Sequence, residues 1–200
     1  MGHKAAPLRP LAVVTLALLC ERPMHPYEMY QLLRFRGQDK SVKVRPGTLY
    51  HVVNGLEANG LVQAVGTDRE GNRPERTTYA ITEQGRETLV RAVEDMLGEP
   101  QLEYPDFTVA MGEAHNIPAS TVIQLLRERI STVKAALAAG EARLAKAQER
   151  GLPRRFILGG EFAVNRARAD VEWLAATIND IESGAISWDA PVPAKIKESQ

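Results

Sequence analysis

The feature that most limits the fold is the order in which the spacing of apolar residues changes along the chain. Up to Gly60, apolar side chains recur at helical intervals in three segments. Segments 61–65 and 77–81 are instead short, apolar or β-branched runs that flank a polar loop, as in a two-stranded hairpin. A fourth helical segment follows Thr82, which is a suitable N-cap. The predicted order is therefore helix, helix, helix, strand, strand, helix.

Prolines and glycines mark the ends of the first three helices. Pro10, Pro26 and Pro46 each begin an apolar helical stretch, and proline suits a first turn because its φ is already helical. Gly37 and Gly60 follow the second and third stretches, where glycine accepts the left-handed conformation that ends many helices. We therefore expect three separate helices before the hairpin.

The third predicted helix has two different faces. At about 100° per residue, its apolar side chains cluster on one side: Leu49, Val52, Val53 and Leu56. The opposite side carries Gly47, His51, Asn54 and Ala58. Asparagine pairs bidentately with adenine, histidine can donate to guanine, and small residues let the backbone come close. This face suits the reading of base edges in DNA, although any amphipathic helix also has a polar face.

Three hydroxyl groups near this face suit phosphate oxygens. Thr48 and Tyr50 flank the face, and Tyr27 stands at the start of the second helix. The positive N-termini of the helices at Pro26 and Pro46 attract the same anions. We therefore expect backbone contacts of DNA around the helix that reads the bases.

The loop of the predicted hairpin is basic. Arg69, Arg73 and Arg76 lie close together around a Gly-Asn turn. Such a wing can place arginines on phosphates or in a minor groove, although a solvated charged loop has the same composition. The whole chain has no net charge, but up to Ala80 it has eleven basic against seven acidic residues. DNA binding is therefore argued from the distribution of charge.

The second half of the chain has the spacing of long paired helices. Apolar or small residues alternate at intervals of three and four from Ile123 to Ala147, and again from Ile157 to Ile181. Two such stripes favour association with a second chain, so we predict a dimerisation seam. Its residues are Leu126, Ile130, Val133, Leu137, Val164, Val171, Leu174 and Ile178. A two-fold dimer would place two reading helices about 34 Å apart, as a palindromic operator requires. The alternative is a monomer whose two helices pack on each other and on the first domain.

Aromatic residues in this half raise the question of a ligand. Trp173 and Phe162, with Phe156, Tyr104 and Phe107, can line an apolar cavity for a small aromatic effector. Such residues are more often plain core. Trp173 and Phe162 are the candidate effector-binding residues.

Other classes of protein are disfavoured. Cys20 is the only cysteine, which argues against a disulfide framework or a thiolate metal site. The four histidines, at positions 3, 25, 51 and 115, have no metal-ligand spacing, and no phosphate-binding glycine motif or nucleophile elbow occurs. The longest apolar run, from Leu11 to Cys20, is shorter than the roughly 20 residues that cross a bilayer. We expect a soluble cytoplasmic protein that is not an enzyme and uses no cofactor or metal.

These patterns predict a mainly α fold with a small β-hairpin. Residues 1–98 are expected to form a winged helix-turn-helix DNA-binding domain. Residues 99–200 are expected to form an antiparallel helical dimerisation domain that ends in a flexible tail from Trp188 onward.

Four segments of the first half also resemble a known family. In order, they are MHPYEM at 24–29, RPGTLY at 45–50, EANGLV at 57–62 and YAITEQG at 79–85. Together they are similar to the PadR family of transcriptional regulators, over roughly residues 11–89. The resemblance implies a homodimeric winged-helix protein, usually a repressor, that leaves its operator when a small molecule such as a phenolic compound or a drug binds. It assigns DNA contacts to Tyr27, Thr48, Tyr50, His51, Asn54 and the wing arginines.

A different function remains open on the residues alone. A winged-helix domain can serve as a protein-interaction module without binding DNA, and the zero net charge is compatible with that. Salt separates the two, because a DNA reader loses affinity steeply as salt rises and a protein-docking wing does not.

Overall fold

The chain divides into two compact units, with the division between Leu102 and Glu103. A computed structural model of the chain describes residues 7–68, 76–98, 100 and 104–188. We call the two parts the N-terminal unit and the C-terminal unit. Arg69, Arg73 and the predicted tail after Trp188 lie outside the described residues.

The N-terminal unit follows the predicted order of helices and strands. Its described elements are α1 (Pro10–Glu21), α2 (Pro26–Phe35), α3 (Pro46–Ala58), β1 (Val62–Asp68), β2 (Arg76–Ile81) and α4 (Glu83–Gly98). A short 3-10 turn, Gln38–Lys40, lies in the polar stretch between α2 and α3. Gly37 and Gly60 both have the left-handed φ of about 70° that the sequence predicts at those helix ends. The prediction of a mainly helical fold with one small hairpin is confirmed.

α1 forms the centre of the core of this unit. Seven of its side chains are buried, and Leu16 has no exposed surface. Met29 and Leu33 of α2 and Leu49 and Val53 of α3 are equally inaccessible. Each such side chain contributes roughly 1.5–3 kcal/mol on burial. This packing fixes the face that α3 turns inward, and therefore the face that it turns outward.

The hairpin is tied to the start of α2 by one residue that the sequence pattern does not reveal. β1 and β2 pair antiparallel from Val62 opposite Ile81 to Asp68 opposite Arg76, with an irregular register between Ala64 and Gly66. Met24 adds to the edge of β2, since its backbone N–H and that of Tyr79 each donate to the other's carbonyl at 3.0 Å. A strand of one residue has no periodicity, so only two strands were expected.

The C-terminal unit contains the two long helices that the sequence predicts, together with a short helix that it does not. Its described helices are α5 (Asp106–Gly112), α6 (Ala119–Glu149) and α7 (Leu158–Glu182). The break between α6 and α7 falls at the predicted residues, and Gly151 has a φ of 68° there. α5 is too short for its apolar spacing to define a helix.

α6 and α7 pack against each other as an antiparallel pair. Gly140 of α6 faces Val164 of α7, so closely that an added Cβ would lie 2.9 Å from a valine methyl carbon. A Cβ on Gly160 would lie 3.0 Å from Leu144. Ion pairs join the same two helices, from Arg127 to Glu182 and from Arg168 to Glu141.

The predicted dimerisation seam lies within this helix pair. Four of its residues are buried in the single chain: Leu126, Val164, Leu174 and Ile178. The other four are half-buried: Ile130, Val133, Leu137 and Val171. The two stripes are therefore covered to a large extent inside one chain.

Neither a membrane span nor a metal cluster occurs in the described part of the chain. None of the described helices combines the length and the apolar character needed to cross a bilayer. Within the same residues, no group of three or more His, Cys, Asp or Glu side chains could hold a metal ion.

Candidate nucleic-acid interface

The two faces of α3 are separated as the spacing predicts. Leu49, Val53 and Leu56 are buried against the core, and Val52 is half-buried. The residues predicted to face DNA are all exposed: Gly47, Thr48, Tyr50, His51 and Asn54. An added Cβ on Gly47 would meet nothing within 4 Å. The first turns of α3 therefore offer polar side chains beside open backbone.

The N-terminus of α3 keeps donors that a partner can use. Pro46 occupies the first turn, and the side chain of the capping residue Arg45 makes no hydrogen bond to it. The first turn of any helix has backbone N–H groups without partners inside the helix, and together with the helix dipole they attract anions. Lys43 and Arg45 lie exposed directly before this turn. The entrance to α3 is thus electropositive.

α2 begins differently, with a side chain as its cap. The Nδ1 atom of His25 accepts a hydrogen bond from the backbone N–H of Tyr27 at 3.1 Å. The other ring nitrogen, Nε2, lies 3.5 Å from the hydroxyl of Tyr50 on α3. The His25 and Tyr50 rings meet edge to face, with centroids 5.8 Å apart. The His25 imidazole therefore contacts both the backbone of Tyr27 and the side chain of Tyr50. The sequence assigns DNA contacts to both of these tyrosines.

The surroundings of His25 favour the neutral form of its ring. Partial burial lowers the pKa of His25, and the positive charge of Arg76 lowers the same pKa further, while Glu28 opposes both effects more weakly. A neutral ring that accepts at Nδ1 carries its proton on Nε2. The Nε2 atom that then carries the proton lies 3.5 Å from the oxygen of Tyr50.

Tyr27 lies exposed at the start of α2, with 45% of its surface accessible. Its ring is tilted against Tyr30 at a centroid distance of 6.4 Å. The next residue, Glu28, is bound to Arg22, and this arginine lowers the pKa of the Glu28 carboxyl. The one acidic side chain beside Tyr27 in the first turn of α2 is therefore neutralised.

The wing is represented by Arg76 in the described residues. It is exposed at the start of β2, opposite Asp68 of β1. Its influence on the pKa of His25 means that its charge reaches the start of α2. The base of the wing, the start of α2 and the outer face of α3 therefore belong to one surface.

The candidate effector residues of the C-terminal unit lie apart from each other. Trp173 is half-exposed and meets Phe107 of α5 edge on, with ring centroids 6.4 Å apart. The guanidinium of Arg129 lies over the Phe107 ring, 3.6 Å from its centre. Phe162 lies eleven residues before Trp173 on α7, about 16 Å along the helix axis at 1.5 Å per residue. A single small aromatic molecule would reach one of the two residues.

Sequence reasoning missed His25 as a site residue. Its position directly before Pro26, where the N-cap of α2 falls, was the available signal. Histidine is not among the preferred capping residues, so the pattern alone did not indicate the role.

Comparison with known proteins places this surface in context. Residues 15–91 match the model of the Transcriptional regulator PadR-like family. No curated protein matches the sequence.

The fold extends this similarity to both units. The structure of Bacillus subtilis PadR in complex with operator DNA is similar with a TM-score of 0.74 at 18% identity, over 86% of this chain and 99% of that one. The structure of Bacillus subtilis PadR in complex with p-coumaric acid has a TM-score of 0.66 at 16% identity, over 87% of this chain and 99% of that one. The structure of a PadR-like transcriptional regulator from Bacillus cereus has a TM-score of 0.67 at 18% identity, over 86% of this chain and 98% of that one. Residues 15–91 are thus similar to the PadR-like transcriptional regulator family, and both units share the fold of the winged-helix PadR proteins.

Proposed function

We propose that this protein is a sequence-specific DNA-binding regulator whose α3 reads base edges in the major groove. The observation that carries the proposal is the division of α3 into a buried apolar side and an exposed side bearing Gly47, His51 and Asn54. Asn54 can pair with adenine and His51 with guanine. The family of the first unit supports the same role, as does the likeness to a structure that contains operator DNA.

Phosphate contacts would hold α3 in register. The hydroxyls of Tyr27, Thr48 and Tyr50 are suited to them, and so is the guanidinium of Arg76 at the base of the wing. All four groups are exposed, and His25 links the start of α2 to Tyr50 of α3. The predicted wing residues Arg69 and Arg73 belong to the same proposal.

We infer that the regulator acts as a homodimer on a palindromic operator. Because the α6–α7 pair covers much of its own seam, we place the partner surface at and near its turn, one of the places where large apolar side chains stay exposed. Leu152, Phe156, Leu158 and Phe162 are all exposed there, and Phe162 has 70% of its surface accessible. Apolar patches of this kind mark protein interfaces. A two-fold arrangement would then present two copies of α3 to one face of the duplex.

We infer further that the protein represses its target and is released by a small aromatic acid. Trp173 and Phe107 offer ring edges, and Arg129 beside them offers a cation for a carboxylate. One similar structure contains p-coumaric acid, a compound with both groups. This acid, added to a preformed protein–operator complex, is the first probe of release. Coupling of the usual size, about 1–3 kcal/mol, would shift operator affinity 5- to 150-fold.

The experiment that tests DNA reading is recovery of bound genomic fragments followed by titration of the protein onto the recovered site. Asn54→Ala should weaken operator binding by about 1–3 kcal/mol and change binding to random DNA little, because base contacts carry specificity. Asn179→Ala, an exposed helical asparagine of the C-terminal unit, is the matched control and should change neither.

Equal losses on both kinds of DNA would reassign Asn54 to the DNA backbone. If no genomic fragment is enriched, and any residual binding to DNA does not weaken between 50 and 200 mM salt, the result favours the alternative function of a protein-interaction module. A DNA reader with about six phosphate contacts should lose roughly a thousandfold in affinity over that range.

A further inference from the structure

His25 connects two elements that take part in the proposed interface. Its Nδ1 holds the backbone N–H of Tyr27 at the start of α2, and its Nε2 lies 3.5 Å from the Tyr50 hydroxyl on α3. The edge-to-face contact between the two rings, at 73°, adds a second and independent contact to the same tyrosine. The side chain is half-buried between these partners.

The hydrogen-bond roles follow from the chemistry of imidazole. Nδ1 accepts from a backbone amide, so in the neutral ring the proton is on Nε2. Nε2–H then donates to the oxygen of Tyr50, and the hydroxyl's own proton is left to donate to another acceptor. Tyr50 is 39% exposed on the outer side of α3, where a phosphate oxygen would be that acceptor.

We propose that His25 is a positioning residue that aims the Tyr50 hydroxyl as a donor to a DNA phosphate and couples it to the backbone of α2. This inference rests on the proposed function. A phenol without such a partner donates in any direction that its C–O bond rotation allows. With His25 in place, the hydroxyl is pre-oriented, so less freedom is lost when DNA binds.

The charged and titratable groups around His25 support the neutral form that this role requires. Arg76 of β2 places a positive charge near the ring and Glu28 of α2 a weaker opposing one, and Tyr50 of α3 supplies the hydroxyl. The resulting pKa of His25 lies below its ordinary value. Protonation at Nδ1 would remove the acceptor that caps α2.

A double-mutant cycle tests the proposal on the full chain. His25→Asn keeps a good N-cap for α2 but has no atom that corresponds to Nε2. Tyr50→Phe keeps the ring and removes the hydroxyl. We expect each variant to raise the Kd for operator about fivefold, the usual effect of one hydrogen bond, and the double variant to bind no more weakly than either single one. His115→Asn, an exposed histidine of the C-terminal unit, is the control and should bind as wild type does.

Thermal midpoints of all variants verify that they are folded. If His25→Asn binds operator like wild type, or weakens binding as much on the Tyr50→Phe background as alone, His25 does not act through Tyr50 and the proposal is overturned. If wild type itself binds no DNA, the proposed function fails instead. Non-additive losses in operator affinity, without a matching fall in thermal stability, support the positioning role.

Discussion

Single residues at the end of α3 and the start of α4 determine how closely the elements of the N-terminal unit pack. Gly85, in the first turn of α4, approaches the backbone so closely that an added Cβ would lie 2.1 Å from the carbonyl oxygen of Leu61. Thr82 fixes the same approach, since its hydroxyl donates to the carbonyl of Gly60 at 2.7 Å and accepts from the N–H of Gly85 at 3.0 Å. The end of α3, the start of β1 and the start of α4 therefore meet at one point.

Replacement of Gly85 should consequently be costly. Gly85→Ala must push α4 away from a backbone atom, and we expect a loss of at least about 1–3 kcal/mol in the free energy of unfolding, as for overpacked sites. Gly55→Ala is the control, because a Cβ there meets nothing within 4 Å. In the interior of α3 that change should stabilise by about 0.5–1 kcal/mol. Urea unfolding of both variants measures the difference, and similar stabilities would contradict the close approach.

Among the elements, the hairpin has a double attachment. Its base pairs with Met24 just before α2, and its first described residue in β2, Arg76, reaches His25 electrostatically. The base of the hairpin is thereby held against the start of α2. In the proposed complex with DNA, the position of Arg76 would be set by the same framework that sets α3.

Arg76→Ala tests the wing as an element of the proposed interface. Loss of one phosphate contact should weaken operator and random DNA alike and should lower the slope of log Kd against log salt by about one. Arg91→Ala, on exposed α4 next to Glu87, is the matched control. Titrations at several salt concentrations give the slopes. A slope equal to that of wild type would remove Arg76 from the interface.

At the scale of the whole molecule, the C-terminal unit raises the question of association. Exposed apolar side chains lie both near the turn between α6 and α7 and elsewhere in the unit, as at Val109 and Trp173, while the predicted seam is largely covered within the chain. In the proposed dimer, a partner chain would cover the side chains near the turn and leave the seam in place.

A charge introduced into the exposed patch should therefore break the dimer. The Phe162→Glu variant would bury an unpaired carboxylate in the dimer interface, which costs about 3 kcal/mol or more. The dissociation constant of the dimer should therefore rise by about a hundredfold or more. Val65→Glu, on the exposed face of β1, is the control. Sedimentation velocity over a range of concentrations reads out the mass. A dimer of unchanged stability would place the interface elsewhere on the molecule.

How much the sequence predicted depends on the kind of interaction. The starts of α1, α2 and α3 at Pro10, Pro26 and Pro46 were predictable because proline acts on its own backbone. The exposed face of α3 was predictable because its apolar residues have a single period. Both are local properties of the chain.

The parts that were missed depend on contacts between distant residues. Met24 joins Tyr79, and His25 joins Tyr50, through atoms that no periodicity relates. The seam of α6 and α7 shows a related difficulty. Intervals of three and four identify residues that pack against another helix, but they do not show whether that helix belongs to the same chain or to a second one.

The close fit of Gly140 against Val164, and of Gly160 against Leu144, fixes the register of α6 against α7. If α7 slid by one turn, the Val164 side chain would meet larger residues such as Leu137 or Leu144 where it now meets a glycine. Sliding of α7 along α6 should therefore be unfavourable, and we expect the pair to respond to a disturbance at one end by tilting as a unit. A reporter fused into the turn at residues 151–153 would detect that tilt.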